Sequence, residues 1–238
     1  MSLLINPFVF SAAPAPAPAL VSQTSYVPAS STTTWTVFSG LDLSDCDLAV
    51  VVTLVMGTDR TMGVETGTTA GWAVDAGRAG LTSNPNTLGR VNMFSRVAPS
   101  ASEQLVVRNL PQTGSADSAL SNMAAILFRI NNANTATWTT ANGPNFNSRP
   151  VNPPAHNTGA IRDALWIAVM GINSATLPTA YPAGYSNTIA KVVSSGAAGN
   201  LAAVSLAKNA QTEDPGTFTT LFASTARWGA GTIACYQS

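Results

Sequence analysis

The stretch that decides the fold runs Leu48-Ala-Val-Val-Val-Thr-Leu-Val-Met56, and it is apolar at almost every position. A short continuous apolar run rich in β-branched valine is typical of a buried strand. A membrane-spanning helix requires about 18 apolar residues, and no apolar stretch of the chain reaches that length. We therefore expect a buried strand here and no insertion of the chain into a membrane.

Runs of Val, Thr, Ile and aromatic residues recur from about Thr32 onward, and clusters of Gly, Pro, Asn and Ser separate them. This pattern is typical of strands joined by turns, and no segment has a convincing helical periodicity. It predicts an all-β fold with strands near residues 33–38, 48–56, 71–75, 90–97, 104–109, 123–130, 164–170, 187–193, 201–208, 217–222 and 228–236.

The predicted strands fall into two groups with the same order of parts. Each group opens with an acidic residue and a long buried strand, continues with a Gly-aromatic pair and a strand ending in a basic residue, and closes with two more strands. The Gly-aromatic pairs are Gly71-Trp72 and Gly184-Tyr185, whose rings we expect to pack in matched places. Four main strands in each half predict an antiparallel β-sandwich, similar to a jelly roll, over residues 31–238, with pseudo-repeats at 31–130 and 161–238.

Residues 1–30 differ in composition from this domain. Prolines 14, 16 and 18 alternate with alanines, which favours an extended, polyproline-like arm. The apolar cluster ahead of them would suit an anchor that docks into a neighbour, and its candidate partner-binding residues are Leu4, Ile5, Pro7, Phe8 and Phe10. A first strand that tucks into the same domain is the alternative interpretation of this segment.

Residues 131–160 are rich in Asn, Thr and Pro, and they predict a central loop. A loop of this length is either a functional surface or a linker between the two halves. Its Trp138 is the best candidate for a surface aromatic that stacks on a sugar.

Side chains that carry chemistry are scarce in this chain. Charged residues make up 9% of it, 11 acidic and 11 basic, with one histidine, whereas soluble proteins carry about 25%. A zero net charge without clustered Lys and Arg argues against a nucleic-acid partner. The sole histidine, His156, has no Gly-x-Ser-x-Gly serine to activate, and no phosphate-loop motif is present. We expect no catalytic residue, cofactor or metal, and a hydrolase is the weakest hypothesis.

Two acidic segments are interpreted as turns. Asp42-Leu-Ser-Asp-Cys-Asp47 holds three carboxylates but lacks the order of an EF-hand calcium loop. Glu213-Asp-Pro-Gly216 carries turn residues, and glycosidase carboxylates normally come from different strands that face each other across a cleft.

The two cysteines, Cys46 and Cys235, lie at the two ends of the predicted domain. They can pair only if their strands are neighbours, and we expect two reduced, buried thiols in a protein made in a cytoplasm. We also expect no signal peptide, because the first residues lack a basic region and Pro7 interrupts their apolar run.

Two segments resemble proteins of tailed bacteriophages and prophages. The opening Ile5-Asn-Pro-Phe-Val-Phe with its Ala/Pro spacer is similar to the start of many small virion proteins. The C-terminal run from Tyr181-Pro-Ala-Gly-Tyr through Glu213-Asp-Pro-Gly-Thr-Phe to Arg227-Trp-Gly-Ala-Gly-Thr-Ile-Ala is similar to a recurring phage β-sandwich module. The resemblance implies a virion component on the particle exterior, made in the bacterial cytoplasm, as a head decoration (cement) protein or a tail-tip or fibre protein.

The sequence thus predicts a non-enzymatic structural protein of a tailed-phage virion, with other virion proteins as partners. Copies are expected to associate as a homo-oligomer through apolar and backbone contacts, since a near-neutral surface offers little repulsion. The alternative is a carbohydrate-binding adhesin module that contacts host-surface glycans through Trp138 and its loop.

Overall fold

A computed structural model describes residues 15–28, 34–55, 60–64, 69–74, 79–80, 90–111, 123–142, 150–174, 176–185, 190–193, 199–219 and 228–238. Over these residues the chain is all-β, and every strand pairing is antiparallel, so the predicted fold class is confirmed. In the same residues there is no helix with the length and apolar character that a membrane crossing requires.

The strands, numbered in chain order, form three sheets. The central sheet contains β1 (Ala19–Tyr26), β3 (Leu48–Val55), β5 (Ala73–Val74), β6 (Ala79–Gly80), β7 (Arg90–Val97) and β9 (Met123–Asn131). The small sheet contains β2 (Thr34–Leu41), β4 (Arg60–Val64) and β8 (Glu103–Pro111). The C-terminal sheet contains β10 (Thr135–Asn142), β11 (His156–Ile172), β12 (Ala190–Val193), β13 (Asn200–Glu213) and β14 (Trp228–Tyr236).

The two larger sheets share one strand order. The central sheet runs β1-β9-β3-β7-β5, with β6 also paired to β7, and the C-terminal sheet runs β10-β14-β11-β13-β12. When the five strands of each path are counted in chain order, both sheets place the first strand beside the last, followed by the second, the fourth and the third. Two halves that repeat the same arrangement would show this shared strand order. The small sheet is an additional element of the first half.

The central sheet is buried on both faces, and β3 shows this most clearly because all eight of its residues are buried. Leu48, Val50 and Val52 contact the core shared with the C-terminal sheet. Ala49 and Val51, which alternate with them, contact the core shared with the small sheet. Since successive side chains of a strand point to opposite faces, a strand between two cores must be apolar at nearly every position.

The outer face of the C-terminal sheet is covered by segments between its strands. Val151 and Phe218 form a two-way backbone bridge, and Ala180 bridges to Thr219. Together with Tyr185, the side chains of Val151 and Phe218 pack on the outward-facing residues of β11, β13 and β14. All nine residues of β14 are buried as a result.

Residues 19–26, which we predicted within the arm, form β1 in the structure and pair with β9. Leu20 packs against one core and Tyr26 against the other. The physical reason is that the prolines end at Pro18, so from Ala19 onward the backbone has the N–H groups that a ladder requires. This stretch therefore follows the alternative of a first strand within the domain, and residues 1–14 lie outside the described residues.

Residues 131–160, which we predicted as a loop, contain the strand β10 and the start of β11 at His156. In β10, Ala136 and Trp138 pack on the core between the two large sheets. The alternating threonines made this strand resemble a polar loop, although Thr is a good strand residue.

Both cysteines are free and buried, and they lie in different cores. Cys46 packs in the core beneath the small sheet, whereas Cys235 packs between the two large sheets. The central sheet separates them, which excludes a disulfide and agrees with two reduced thiols.

Gly171 in β11 marks a close approach of the two large sheets, and Gly171→Ala tests it. A Cβ there would lie 2.5 Å from Val91 Cγ2 and 3.0 Å from Leu54 Cδ1. Alanine restricts the unfolded chain and so gains about 0.4–1 kcal/mol, but overpacking costs about 1–3 kcal/mol. We expect a net loss of about 1–2 kcal/mol in the free energy of unfolding, measured by chemical denaturation. The exposed change Ala160→Ser on the same strand should have little effect, and equal stabilities of the two variants would contradict the packing.

Candidate functional site

One end of the sandwich gathers the first described residues, two turns and the C-terminus. They enclose a groove of about 390 Å³, lined by Ala15, Pro16, Asp47, Ala98, Asn132 and Gln237 among others. We name this feature the tether groove.

Asp47 holds the tether groove together. Its backbone N–H donates to the carbonyl oxygen of Ile130 at 3.0 Å, and its carbonyl oxygen accepts from the N–H of Ala98 at 2.8 Å. Its Oδ2 accepts from the N–H of Asn132 at 2.7 Å. One residue thus fixes both turns, which follow β7 and β9 respectively.

The same two turns contain the two non-glycine residues with positive φ in the described part of the chain. Ala98 has φ of 46° and Asn132 has φ of 59°. A left-handed conformation costs roughly 1–2 kcal/mol for a residue with a Cβ, and Asn tolerates it better than Ala. The hydrogen bonds of Asp47 offset this strain, so both turns are fixed in shape.

Asn132 also fixes the place at which the N-terminal segment leaves the domain. Its Nδ2 donates to the carbonyl oxygen of Ala17 at 3.1 Å. At the same end, the N–H and Oγ of Ser238 donate to Asn134 Oδ1 at 2.9 and 3.0 Å. The first and last described segments are therefore held side by side.

A second groove, of about 380 Å³, lies where the start of β1 meets the C-terminal sheet. The described residues that line it include Pro18, Leu20, Leu165, Ser205, Leu206 and Ala207, and none of these described residues is charged. We name it the lateral groove. The N-terminal segment passes from one groove to the other, because Ala15 and Pro16 line the first and Pro18 to Leu20 line the second.

The two halves carry matching ion pairs beside their Gly-aromatic pairs. In the first half, Arg96 Nε lies 3.4 Å from Glu103 Oε1, and the guanidinium of Arg96 lies over Gly71, where a Cβ would collide with it. In the second half, Lys208 Nζ lies 2.5 Å from Glu213 Oε2, and the Tyr185 hydroxyl donates to Glu213 Oε1 at 3.4 Å.

These ion pairs hold the Gly-aromatic segments on the sheets. Both carboxylates belong to buried residues, Glu103 and Glu213. Trp72 packs in the core under the small sheet, and Tyr185 packs on the outer face of the C-terminal sheet, so the expected packing of the two rings is confirmed. Burial and then the neighbouring carboxylate of Glu213 raise the pKa of Tyr185 well above its ordinary value, which keeps the phenol protonated.

His156 begins β11 and is almost fully buried, at 6% exposure. The Thr137 hydroxyl lies 2.9 Å from its Nε2 and the Thr139 hydroxyl lies 2.7 Å from its Nδ1. Its ring meets the edge of Trp166 at 6.0 Å between centroids. With both nitrogens hydrogen-bonded to β10, this histidine joins an edge strand to the sheet.

The carboxylates of the Asp42–Asp47 segment also have structural partners. The backbone N–H and the hydroxyl of Ser44 donate to Asp42 Oδ1 at 2.9 and 2.6 Å, and these bonds hold the pKa of Asp42 below its ordinary value. Asp45 pairs with Arg129 at 3.0 Å. The segment is a turn, and the described residues contain no group of three His, Cys, Asp or Glu side chains that could hold a metal ion.

Of the predicted partner-binding residues, the structure describes Trp138 and not the five of the apolar tip. Leu4, Ile5, Pro7, Phe8 and Phe10 lie outside the described residues. Trp138 lies in β10 opposite Ile233, and its ring covers Gly231, where a Cβ would sit 2.9 Å from its Cε3. Trp138 is partly buried and packs on the core between the large sheets, which gives it a structural role at the sheet edge.

Sequence reasoning missed Ala98, Asn132 and Asn134, which build the tether groove. The signal for Asn132 was present in the run Asn131-Asn-Ala-Asn134, because Asn is the residue other than Gly that most readily adopts a left-handed turn. No comparable signal marks Ala98, whose conformation is imposed by its bond to Asp47.

Comparison of this chain with known protein families, with curated proteins and with solved structures finds no match. The structural features that bear on function are therefore the fixed exit of the N-terminal segment and the two grooves beside it.

The ion pair of Glu103 predicts a pH-dependent contribution to stability. Burial by itself raises the pKa of Glu103, but hydrogen bonds from Ser100 and the charge of Arg96 outweigh it and hold that pKa below its ordinary value. A lowered folded-state pKa stabilises the protein fully above the unfolded-state pKa of about 4.3, and the contribution disappears as the pH falls through the folded-state pKa. Glu103→Gln should therefore lower the free energy of unfolding by about 1–2 kcal/mol at neutral pH.

The measurement is denaturant unfolding of wild type and Glu103→Gln from pH 7 into acid, where the difference should shrink toward zero. Asp214→Asn is the matched control, because Asp214 is exposed and accepts a long bond, 3.4 Å from the N–H of Gly216. A difference that stays constant over the whole pH range would show that the charge of Glu103 is not what stabilises the fold.

Proposed function

We propose that this chain is a non-enzymatic structural protein of a tailed-phage virion. It sits on the particle exterior, as a head decoration (cement) protein or as a tail-tip or fibre component. The observation that carries this proposal is the fixed exit at Ala17, from which a proline-alternating spacer leads to an apolar tip. A rigid body with a stiff, apolar-tipped extension is suited to attachment on a larger assembly.

The body of the protein supports the same proposal. Three of its buried titratable side chains have structural partners: Glu103 and Glu213 hold loops on the sheets, and His156 holds an edge strand. Both large sheets bury both faces, so apolar packing stabilises the domain. A stable domain of fixed shape is what a structural protein of an assembly needs.

The partners under this proposal are other virion proteins and further copies of the chain. Leu4, Ile5, Pro7, Phe8 and Phe10 form the anchor, and assembly follows synthesis in the bacterial cytoplasm. The carbohydrate-binding alternative has weaker support, because Trp138 packs against Gly231 and the core instead of standing free on a loop.

Deletion of residues 2–14 tests the anchor. The deletion leaves β1 and the bond between Asn132 and Ala17 intact, so the domain should keep its thermal unfolding midpoint. Particles produced with only the truncated protein should lack it, as measured by immunoblotting of purified virions.

A full-length chain with Phe8→Ser and Phe10→Ser is the matched control for the length of the segment, and it should be excluded from particles in the same way. Incorporation of the truncated protein at the wild-type level would overturn the anchor.

A further inference from the structure

The lateral groove is an apolar cleft without an occupant among the described residues. Leu20, Leu165 and Leu206 supply its apolar lining, and none of the described residues that line it is charged. Its volume of about 380 Å³ falls within the range of about 300–1,000 Å³ that binding clefts usually show.

We propose that the segment Leu3–Phe10 of a second copy of this chain docks in the lateral groove. The inference rests on the anchor role given to this segment under the proposed function, and it names the acceptor. Copies joined in this way exchange N-terminal segments, so each domain donates a tip and receives one.

Chemical complementarity selects this segment and this groove. Leu3-Leu-Ile-Asn-Pro-Phe-Val-Phe10 carries no charge and contains six large apolar residues. Burial of each such side chain favours association and offsets part of its entropic cost. The tether groove is the poorer acceptor, because the charged Asp47 borders it and Ala15 and Pro16 of the spacer already line it.

The proline spacer favours docking of the tip in the groove of a second copy over docking in the groove of its own chain. Pro14, Pro16 and Pro18 fix their own φ angles and restrict the alanine before each of them to extended conformations. Ala15, Pro16 and Ala17 are exposed, so the spacer starts on the surface of the domain. An extended polyproline chain advances about 3.1 Å per residue, so we expect the spacer sequence to direct the tip away from the groove of its own domain.

A tip that folded back would have to reverse within Ser11-Ala12 and lie along a stretch in which every second residue lacks an N–H. Hydrogen bonding between the two stretches would then be largely lost. A neighbouring domain requires no such reversal, and the zero net charge of the chain means that two copies do not repel each other.

Disulfide trapping between two single variants of the full chain tests the proposal. One variant carries Val9→Cys in the tip and the other carries Ala207→Cys in the exposed part of the lateral groove. The native Cys46 and Cys235 are buried, so they contribute little background. After mixing and mild oxidation, non-reducing electrophoresis should show a covalent heterodimer several-fold more abundant than with Ala160→Cys, an exposed position that does not line the groove.

A yield no higher than that of the Ala160→Cys control would overturn the proposal. So would a double variant, Val9→Cys with Ala207→Cys, that forms only an intramolecular disulfide at low concentration, because the tip would then occupy its own groove. Leu206→Asp in the acceptor should abolish the trapped heterodimer while the donor carries no further change.

The outcome is separable from that of the anchor test. If trapping succeeds but the truncated protein still enters particles, exchange between copies stands and the anchor role fails. If trapping fails but truncation blocks incorporation, the tip binds a different virion protein and the exchange is wrong.

Discussion

The burial of both faces of the central sheet is the constraint on which the rest of the structure depends. A strand such as β3, with eight buried residues, cannot be left with one face in water. Each face of the central sheet carries a row of apolar side chains, so one face must be covered by the C-terminal sheet and the other by the small sheet. The C-terminal sheet has the same requirement on its outer face, which bridged loop segments satisfy. The stacking of layers thus follows from the apolar strands themselves.

Two matched halves meet this constraint with one strand order. The ion pair of Arg96 and Glu103 and the ion pair of Lys208 and Glu213 each secure a Gly-aromatic segment on the face turned away from the other large sheet. In the described part of the chain, these four charged residues hold loop segments on the sheets.

The sequence predicts the buried strands and also the edge strands β2, β5 and β12, but it misses the edge strands β1, β4, β6 and β10. The runs around β3, β7, β9, β11 and β14 are apolar because two cores require it, and periodicity detects them. The strands β1 and β10 lie at sheet edges and consist largely of Ser, Thr and Ala, which is also the composition of loops. The tether groove was not predictable, because it depends on the positive φ of Ala98 and on long-range bonds to Asp47. The apolar tip, by contrast, was visible from composition alone.

The position of both described chain ends at one end of the domain links this architecture to its proposed function. The described N-terminal segment and the C-terminus are held at one end by Asn132 and Asn134, so an attached domain would present its remaining surface outward. Immunogold electron microscopy of phage particles from the bacterial host, with antibody to the recombinant protein, measures whether the protein lies on the particle exterior. Gold label is expected on the outside of intact particles, on the head or at the tail end. Intact particles without label, in preparations where the free protein is detected, would contradict it.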